Sequence, residues 1–403
     1  FGESGAVTIY KKNSAGVWDV EKALLKAQNA GLSDAFGTAV SLSDDGNRLV
    51  VGAPKEDGDA TSTATVSNDF SADSGAVYVF TRANAIWTAI SYVKASNVNT
   101  GDLFGSSVAI SGDGTRFVVG APLEDTTATT SGAAYVFTFN GTTTAQEATL
   151  KATTPAAASD FGGSVTMREN GTTVAVGASD EANGGSVYIF TLSGTWSIAT
   201  ALVPTTATAA GDKFGDAISL SDDGTTLAVG APFRDSAGTN GEGAVYIFTG
   251  ATFATQQAFL TASNLGVGDH FGSSVSLSQN GDTLVAGAPD EDSIATGING
   301  SQTDNTAASS GAVYSFKRTV TAWAQKSYIK ATNTEAFDQF GFSVAVSDVE
   351  TANTSVPPSQ TLVVGAPFED SNNIGSTNIN KGTNTGILAT TNDRPDAGAA
   401  YLH

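Results

Sequence analysis

Cysteine is absent from the sequence, methionine occurs once, and histidine occurs only as His270 and His403. The lack of cysteine rules out disulfide bonds and thiol chemistry. Neither histidine belongs to a Glu-paired or Ser/His/Asp arrangement, so acid–base and nucleophilic catalysis have little support. Asp pairs alone could serve a glycosidase, but here they recur as structural turn residues do. The composition therefore predicts a protein that is not an enzyme, with a polysaccharide-active enzyme as the least favoured alternative.

Positive charge is also scarce, because 19 Lys and Arg stand against 40 Asp and Glu, which gives a formal net charge of −21. No basic cluster occurs, and binding to nucleic acid or anionic lipid needs one. We therefore expect no nucleic-acid binding, and no membrane insertion because no apolar run of about 18 residues exists. The acidity suits either a cation-binding surface or a strongly solvated one. The first residues lack the charged-then-apolar pattern of a signal peptide, so an exported protein is expected here in its mature form or as a fragment.

The sequence does contain a set of motifs that is repeated along most of its length. Each copy has a Phe-Gly pair, then Gly-Ala-Pro (Gly-Ala-Ser in one deviating copy), then Gly-Ala-Val-Tyr or a near match. A repeat of this size marks a solenoid, propeller or array. The Phe-Gly pairs begin at Phe36, Phe104, Phe161, Phe214, Phe271 and Phe340, and the repeat units begin near residues 34, 102, 160, 212, 269 and 338.

Each repeat is predicted to form four strands. The first alternates apolar and polar residues, and an Asp-Gly or Asn-Gly hairpin turn such as Asp45-Gly46, with positive φ expected at both residues, leads to the second. The third, such as 75–80, is apolar at consecutive positions, so both of its faces should be covered. The looser fourth strand begins with an aromatic residue such as Trp87, which is expected to plug the space between neighbouring sheets. No helical periodicity occurs, so the fold class is all-β.

Tandem four-stranded sheets that are apolar on both faces are best satisfied by a β-propeller, here a single domain over residues 1–403. Six inner strands are present, but the third strand occurs seven times. The inner-strand count favours six blades, with residues 1–33 supplying strands to the closing blade. Seven blades are expected if the chain is trimmed at either end. An unpaired terminal strand would invite pairing with another chain.

The motifs Phe271-Gly272, Gly287-Ala-Pro289 and Gly311-Ala-Val-Tyr314 resemble the FG-GAP repeat of integrin α-subunit propellers and of bacterial surface proteins. The resemblance covers nearly the whole chain. It implies a propeller, usually seven-bladed, that works outside the cell or at its surface in adhesion or ligand binding. In the integrin family, several turns between strands one and two carry Asp-rich calcium loops. The turns here, such as 43–46 and 278–281, are too short to supply six to eight oxygens, so those calcium sites are not transferred.

Two acidic sets are expected on one rim of the propeller. An Asp stands one or two residues before each Phe-Gly pair, and a Glu-Asp pair or close variant follows the Gly-Ala-Pro motif. Carboxylates from adjacent loops could coordinate a cation. Alternatively, each Asp accepts backbone N–H bonds and caps a turn, which its presence in every repeat favours. The first set comprises Asp34, Asp102, Asp160, Asp212, Asp269 and Asp338.

The loops between strands two and three differ most in length, and three are long: 55–74, 290–310 and 368–397. Insertions on one face of a repeat fold often form its binding face, so we predict that these loops contact a protein or glycan. They are rich in Asp, Asn, Thr and Gly and are therefore either ordered by calcium or polar and mobile. The predicted calcium ligands are Asp57, Asp59, Asp290, Glu291, Asp292 and Asp304.

Two functions remain open. The first is an extracellular or cell-surface binding or adhesion module that uses the loop-bearing face. The second is a structural subunit of a surface layer or extracellular filament, which self-assembles through its terminal strands by β-augmentation.

Overall fold

The computed structural model describes residues 4–13, 18–60, 68–205, 208–235, 240–347, 360–370 and 399–402. These residues form 25 strands and no helix, which confirms the predicted all-β fold class. No described helix is therefore long and apolar enough to cross a membrane. The chain divides into two compact units, one of Phe1–Tyr10 and Val20–Val203 and the other of Lys11–Asp19 and Pro204–His403.

The first unit holds most of an N-terminal sheet and three four-stranded antiparallel sheets, which we call blades 1, 2 and 3. The N-terminal sheet pairs β1 (Val7–Lys12) with β2 (Trp18–Leu25). Blade 1 contains β3 (Val40–Leu42), β4 (Arg48–Ala53), β5 (Ala76–Ala83) and β6 (Ile86–Val93). Blade 2 contains β7 (Ser107–Ile110), β8 (Arg116–Ala121), β9 (Ala133–Phe139) and β10 (Thr144–Leu150). Blade 3 contains β11 (Phe161–Met167), β12 (Thr173–Ala178), β13 (Ser186–Ser193) and β14 (Thr195–Leu202).

The second unit holds blades 4, 5 and 6. Blade 4 contains β15 (Ile218–Leu220), β16 (Thr226–Ala231), β17 (Ala244–Thr249) and β18 (Thr255–Leu260). Blade 5 contains β19 (Ser274–Leu277), β20 (Thr283–Ala288), β21 (Ala312–Thr319) and β22 (Ala322–Ile329). Blade 6 has three described strands, β23 (Ser343–Val346), β24 (Leu362–Ala366) and β25 (Ala399–Leu402).

Consecutive antiparallel blades of this kind are the building units of a β-propeller, which is the fold class of the protein. Six inner strands are present, as counted from the sequence, and the described strands form seven sheets. The seventh sheet arises because β1 and β2, which correspond to strands three and four of a repeat, pair with each other. That residues 1–33 supply strands to a closing blade stays a prediction.

The third strand of each of blades 1 to 5 is covered on both faces, as its apolar sequence predicts, whereas Ala400 in the third strand of blade 6 is exposed. In β5, Tyr78 and Phe80 pack towards the N-terminal sheet, whereas Val77 and Val79 pack against blade 2. The Phe of each Phe-Gly pair joins these cores; Phe104, for example, is 1% exposed. Side chains on alternate sides of one strand therefore build two different inter-sheet cores, and the burial of apolar surface in both stabilises the fold.

The glycine of Gly-Ala-Pro in one blade lies against the glycine of the Phe-Gly pair in the next blade. A Cβ built on Gly52 would overlap the carbonyl oxygen of Gly105 in the next blade, and one built on Gly287 would overlap that of Gly341. Both contacts involve backbone atoms, which cannot rotate away. Glycine is therefore required at the second strand by the close approach of the adjacent inner strand.

The hairpin turns between strands one and two form as predicted, but their predicted backbone geometry is wrong. Gly46 has a φ of 65°, whereas Asp45 is not among the residues with positive φ. The Gly46 N–H donates to the Ser43 carbonyl at 2.8 Å, and Asp45 Oδ1 accepts the Ser43 hydroxyl at 2.6 Å. The side chain of Asp45 thus stabilises a loop that needs only one left-handed residue, the glycine.

The fourth strand of each of blades 1 to 5 contains a β-bulge. In β18, for example, the register of pairing with β17 shifts at Gln257. The tryptophans that begin these strands reach back to the preceding sheet. Trp323 Nε1 donates to Gln257 at 3.0 Å, and Trp196 Nε1 donates to Glu147, the bulge residue of β10, at 3.1 Å. The bulges therefore interrupt an edge that could pair with another chain and also supply acceptors for inter-blade contacts.

Candidate functional site

The Asp residues before the Phe-Gly pairs cap the loops that enter the inner strands. Asp34 Oδ2 accepts the N–H of Gly31 at 2.6 Å, and Asp338 Oδ2 accepts that of Glu335 at 2.8 Å. The same bond to the residue three positions earlier is made by Asp102 and Asp212. Asp160 differs and accepts the Ser179 hydroxyl. These bonds support the turn-capping interpretation of this set.

Burial shifts the ionisation of these capping residues towards neutral pH. Loss of solvation raises the pKa of Asp34 and Asp102 to about 6. It raises the pKa of Asp269 and Asp338 to about 7, with a further contribution from Glu291 for Asp269 and from Glu369 for Asp338. The backbone N–H bond acts in the opposite direction in each case. The rim thus holds carboxyl groups that titrate in or near the physiological range.

The glutamate after Gly-Ala-Pro lies at the centre of a network that sequence reasoning missed. In blade 5, Glu291 is 1% exposed and accepts bonds from Lys330 Nζ at 2.8 Å, the Tyr328 hydroxyl at 2.9 Å and Asn264 Nδ2 at 2.9 Å. The Tyr314 hydroxyl donates to Asn264 Oδ1 at 2.7 Å. Asn264 follows the last strand of blade 4, so the network joins two adjacent blades.

Equivalent networks surround Glu56 and Glu124 in the first unit. Lys94 Nζ lies 2.8 Å from Glu56, and Lys151 pairs with Glu124. In each case an Asn from the end of the preceding sheet donates to the Glu. A sequence signal for some of these partners is Lys-Ala-x-Asn after the fourth strand, which recurs at 26–29, 94–97 and 330–333. Lys151 and Asn264 lie outside this motif, because 151–154 lacks the Asn and 261–264 lacks the Lys. A buried carboxylate with several charge-assisted or neutral donors is satisfied and orients the loops that it joins.

In blade 4, the residue at the centre of the corresponding network is basic instead of acidic. Arg234 takes the place of the Glu, Thr261 that of the Lys, and Phe259 that of Tyr328. The Arg234 guanidinium carbon lies 4.8 Å from the centroid of the Phe259 ring. All three substitutions are consistent with one another, because a buried carboxylate without its Lys would be an uncompensated charge. Among the described residues, the buried Tyr246 hydroxyl meets no hydrogen-bond criterion, although the nearby Arg234 guanidinium opposes the rise that burial causes in the pKa of Tyr246.

The predicted calcium ligands of blade 5 lie close in sequence but serve separate local bonds. Glu291 is occupied by the network around Lys330. Asp290 Oδ2 lies 2.7 Å from His270 Nδ1, and Asp292 Oδ1 accepts the N–H of Ser309 at 2.8 Å. Asp304 Oδ1 accepts the N–H of the residue two positions later at 3.0 Å.

The predicted calcium ligands of blade 1 are also engaged by protein donors. Asp57 Oδ1 accepts the N–H of Asp73 at 2.8 Å, and Asp59 Oδ1 accepts Asn68 Nδ2 at 2.6 Å. Within the described residues, no group of three or more His, Asp or Glu could hold a metal ion. Each of the six predicted ligands therefore has a protein partner in the described residues, and calcium binding by them stays a prediction.

The long loop 290–310 is attached to the outer strand of its own blade. The Asn299 N–H donates to the Tyr328 carbonyl at 2.7 Å, and the Lys330 N–H donates to the Gly297 carbonyl at 2.9 Å. An isolated antiparallel bridge pairs Ile298 with Ile329. Backbone bonds to β22 therefore order this loop in the structure.

The other two long loops are described only in part. In loop 55–74, the bond between Asp59 and Asn68 closes the base, and residues 61–67 lie outside the described residues. Phe70, near this loop's end, is 79% exposed. Of loop 368–397, only 368–370 are described, so its predicted partner contacts lie outside the described residues.

Comparison with protein families shows that the buried Glu residues of these networks lie within matches to a known repeat. A family model described as the FG-GAP repeat matches residues 19–80, 87–137, 144–190, 196–248 and 254–316, more than half of the chain. The chain belongs to the FG-GAP repeat family. A search of the curated proteins finds no match.

Most FG-GAP segments matched here begin in the fourth strand of one sheet and end in the third strand of the next. The match at 87–137 thus contains Lys94 and Asn97 from blade 1 together with Phe104, Glu124 and Tyr135 from blade 2. Each of these segments therefore spans the junction between two neighbouring sheets and also includes the first three strands of the second sheet. An FG-GAP β-propeller is consistent with a binding or adhesion module.

Proposed function

We propose that this FG-GAP propeller is a non-enzymatic binding or adhesion module that acts outside the cell or at its surface. It contacts a protein or glycan through the loops between strands two and three, at 55–74, 290–310 and 368–397. The observation that carries the proposal is loop 290–310, which is held to β22 by backbone bonds. This ordered loop leaves Ile294 and Ile298 51% and 40% exposed, respectively. An ordered loop with exposed apolar side chains suits recognition, because little entropy is lost on binding.

A loop exchange tests this proposal. Residues 291–310 are replaced by 124–131 of blade 2, which retain Glu, Asp and Ser at the positions of Glu291, Asp292 and Ser310 and leave Asp290 in place. Binding of the intact chain to arrayed glycans, extracellular proteins and cell surfaces is compared with that of the exchanged chain. We expect binding to be lost while the melting transition remains cooperative. The control is Val320→Ser in the β21–β22 hairpin, where Val320 is 88% exposed. Binding that is unaffected by the exchange contradicts the proposal.

The second candidate is a structural subunit that self-assembles through its terminal strands. The terminal strands of the described chain are β1, which pairs with β2, and β25, which pairs with β24. β-Augmentation would add a strand of another chain to one of these two sheets. Light scattering over a wide dilution range separates the candidates. A constant monomer mass favours the binding module, whereas polymers that grow with concentration and need no partner favour the structural subunit.

Calcium remains a proposed ligand on the strength of the loop composition alone. Candidate ligands are Asp57, Asp59, Asp290, Glu291, Asp292 and Asp304. A bound ion stabilises the folded state by mass action, so the melting temperature should be higher in millimolar calcium than in EDTA. Equal melting temperatures in the two buffers would remove calcium from the proposal.

A further inference from the structure

Comparison of the repeats within the chain separates positions that the fold specifies from positions that it leaves open. The residue before each Phe-Gly pair always has a left-handed backbone, with φ between 52° and 58°. The side chain there differs in every repeat, so the backbone geometry does not determine it. The six residues are Ala35, Leu103, Asp160, Lys213, His270 and Gln339. The residue after Gly-Ala-Pro or Gly-Ala-Ser also varies, with four residue types among six repeats, and is Lys55, Leu123, Asp180, Phe233, Asp290 or Phe368.

In the second unit, these two variable positions form a continuous series of contacts across three blades. Lys213 Nζ lies 5.8 Å from the centroid of the Phe233 ring, whose centroid lies 4.4 Å from that of His270. His270 Nδ1 lies 2.7 Å from Asp290 Oδ2. Gln339 Nε2 donates to Asp290 Oδ1 at 3.2 Å. We call these five residues the rim cluster.

The rim cluster places the Lys213 ammonium group beside an exposed aromatic ring. Phe233 is 42% exposed, and the side chains of His270 and Asp290 are 24% and 26% exposed. Because Nδ1 of His270 faces Asp290, that contact orients the imidazole. The cluster therefore combines one ammonium group with an apolar surface and the acceptor oxygens of Asp290 and Gln339.

We propose that the rim cluster binds an acidic sugar, a hexuronate unit of a glycan. Its carboxylate lies at Lys213, its ring lies against Phe233 and the His270 imidazole, and its hydroxyls donate to Asp290 and Gln339. An isolated carboxylate of a peptide would use the ammonium group but not the acceptors, so the cluster fits the sugar acid better. This inference rests on the proposed function and deepens it by naming the class of ligand.

Replacements taken from sister repeats test the site with little risk to the fold. His270→Leu introduces the residue that blade 2 has at the same position, Leu103, and Lys213→Ala introduces the residue of blade 1, Ala35. All four positions share the left-handed backbone. The matched control is Leu103→Ala, which makes a change of the same kind in the first unit.

Titration calorimetry with trigalacturonate is compared with titration of neutral galactotriose. We expect trigalacturonate to bind and the neutral sugar not to bind. Lys213→Ala should bind about tenfold more weakly, as loss of one charged hydrogen bond predicts. His270→Leu should also weaken binding, because it removes the ring that contacts Phe233 and orients Asp290, whereas Leu103→Ala should not change the affinity. No heat with trigalacturonate, equal binding of the neutral sugar, or unchanged affinity of both rim variants overturns the inference.

The loop exchange distinguishes failure of this inference from failure of the proposed function. If the intact chain binds a surface in a manner that depends on loop 290–310 but does not bind trigalacturonate, only the acidic-sugar site is wrong. If trigalacturonate binds at the rim cluster but the loop exchange has no effect on surface binding, the loop contacts of the proposed function are wrong.

Discussion

A buried glutamate in these blades depends on the donors that surround it. Lys330 is fully buried beside Glu291, and loss of solvation lowers its pKa although the carboxylate opposes that shift. Lys151, which pairs with Glu124, has a side chain that is 19% exposed. The same chemical pair therefore occurs in two environments in one chain.

Lys330→Met should strongly destabilise the protein, by about 3–5 kcal/mol, because it leaves the Glu291 carboxylate buried without its cation. Lys151→Met should cost less, since water can approach Glu124 through the partly exposed site. Denaturant unfolding of both variants measures the difference. The double variant Glu291→Gln/Lys330→Met should recover part of the loss. Equal and small effects of the two single variants would contradict this account.

The capping Asp residues should make stability fall as pH rises from about 4 to about 7. The pKa of Asp338 is about 7 in the folded chain, against about 3.9 for an unfolded Asp. Between these values the folded state binds more protons than the unfolded state, so unfolding becomes easier with rising pH. Above the folded pKa, the loss is complete and constant. Asp34, Asp102 and Asp269 act in the same direction.

Asp338→Asn measures this effect, because the amide imitates the protonated acid and its oxygen can still accept the Glu335 N–H. The variant should raise the melting temperature more at pH 8 than at pH 5. Asp45→Asn is the control, since the Ser43 hydroxyl bond lowers the pKa of Asp45 and its stabilisation is lost only in acid. A uniform effect of Asp338→Asn at both pH values would show that Asp338 is not protonated in the folded chain.

At the scale of single strands, the second strand is limited by the glycine that faces the next blade. Gly52→Ala places a methyl group on the carbonyl oxygen of Gly105, and the neighbouring strand must move to accept it. We expect a loss of at least about 3 kcal/mol in the free energy of unfolding. Gly46→Ala is the matched control, because a Cβ there meets no atom within 4 Å and only the positive φ opposes it. That control should cost about 1–2 kcal/mol. Comparable losses in both variants would contradict the close-approach explanation.

The strands themselves were predictable because their periodicity is local. The hairpin positions and the double-sided third strand could be read from four to eight residues at a time. The conformation of the turns could not be read in this way, since Asp45 uses its side chain to stabilise a loop that does not need a second left-handed residue. The bulges of the fourth strands were also not predicted, because a bulge is defined by register against a partner strand.

At the scale of the whole chain, net charge should weaken the fold at low ionic strength. A formal charge of −21 implies self-repulsion of the folded state. Raising NaCl from about 10 mM to about 150 mM shortens the screening length from about 30 Å to about 8 Å. The melting temperature should therefore rise with salt at pH 8 and rise less at pH 5, where the capping Asp residues bind more protons. A falling melting temperature would show that attractive ion pairs dominate instead.

The sequence by itself determined the repeat, the all-β class, the propeller fold and the sites of the variable loops, because these depend on short patterns that recur. The tertiary structure decided which residues meet. Glu291 and Lys330 are 39 positions apart and Glu56 and Asn29 are 27 apart, and their partnership exists only where adjacent sheets pack. The same packing gives acidic residues that are neighbours in one loop different partners, Lys330 for Glu291 and His270 for Asp290, because side chains far apart in the sequence meet there.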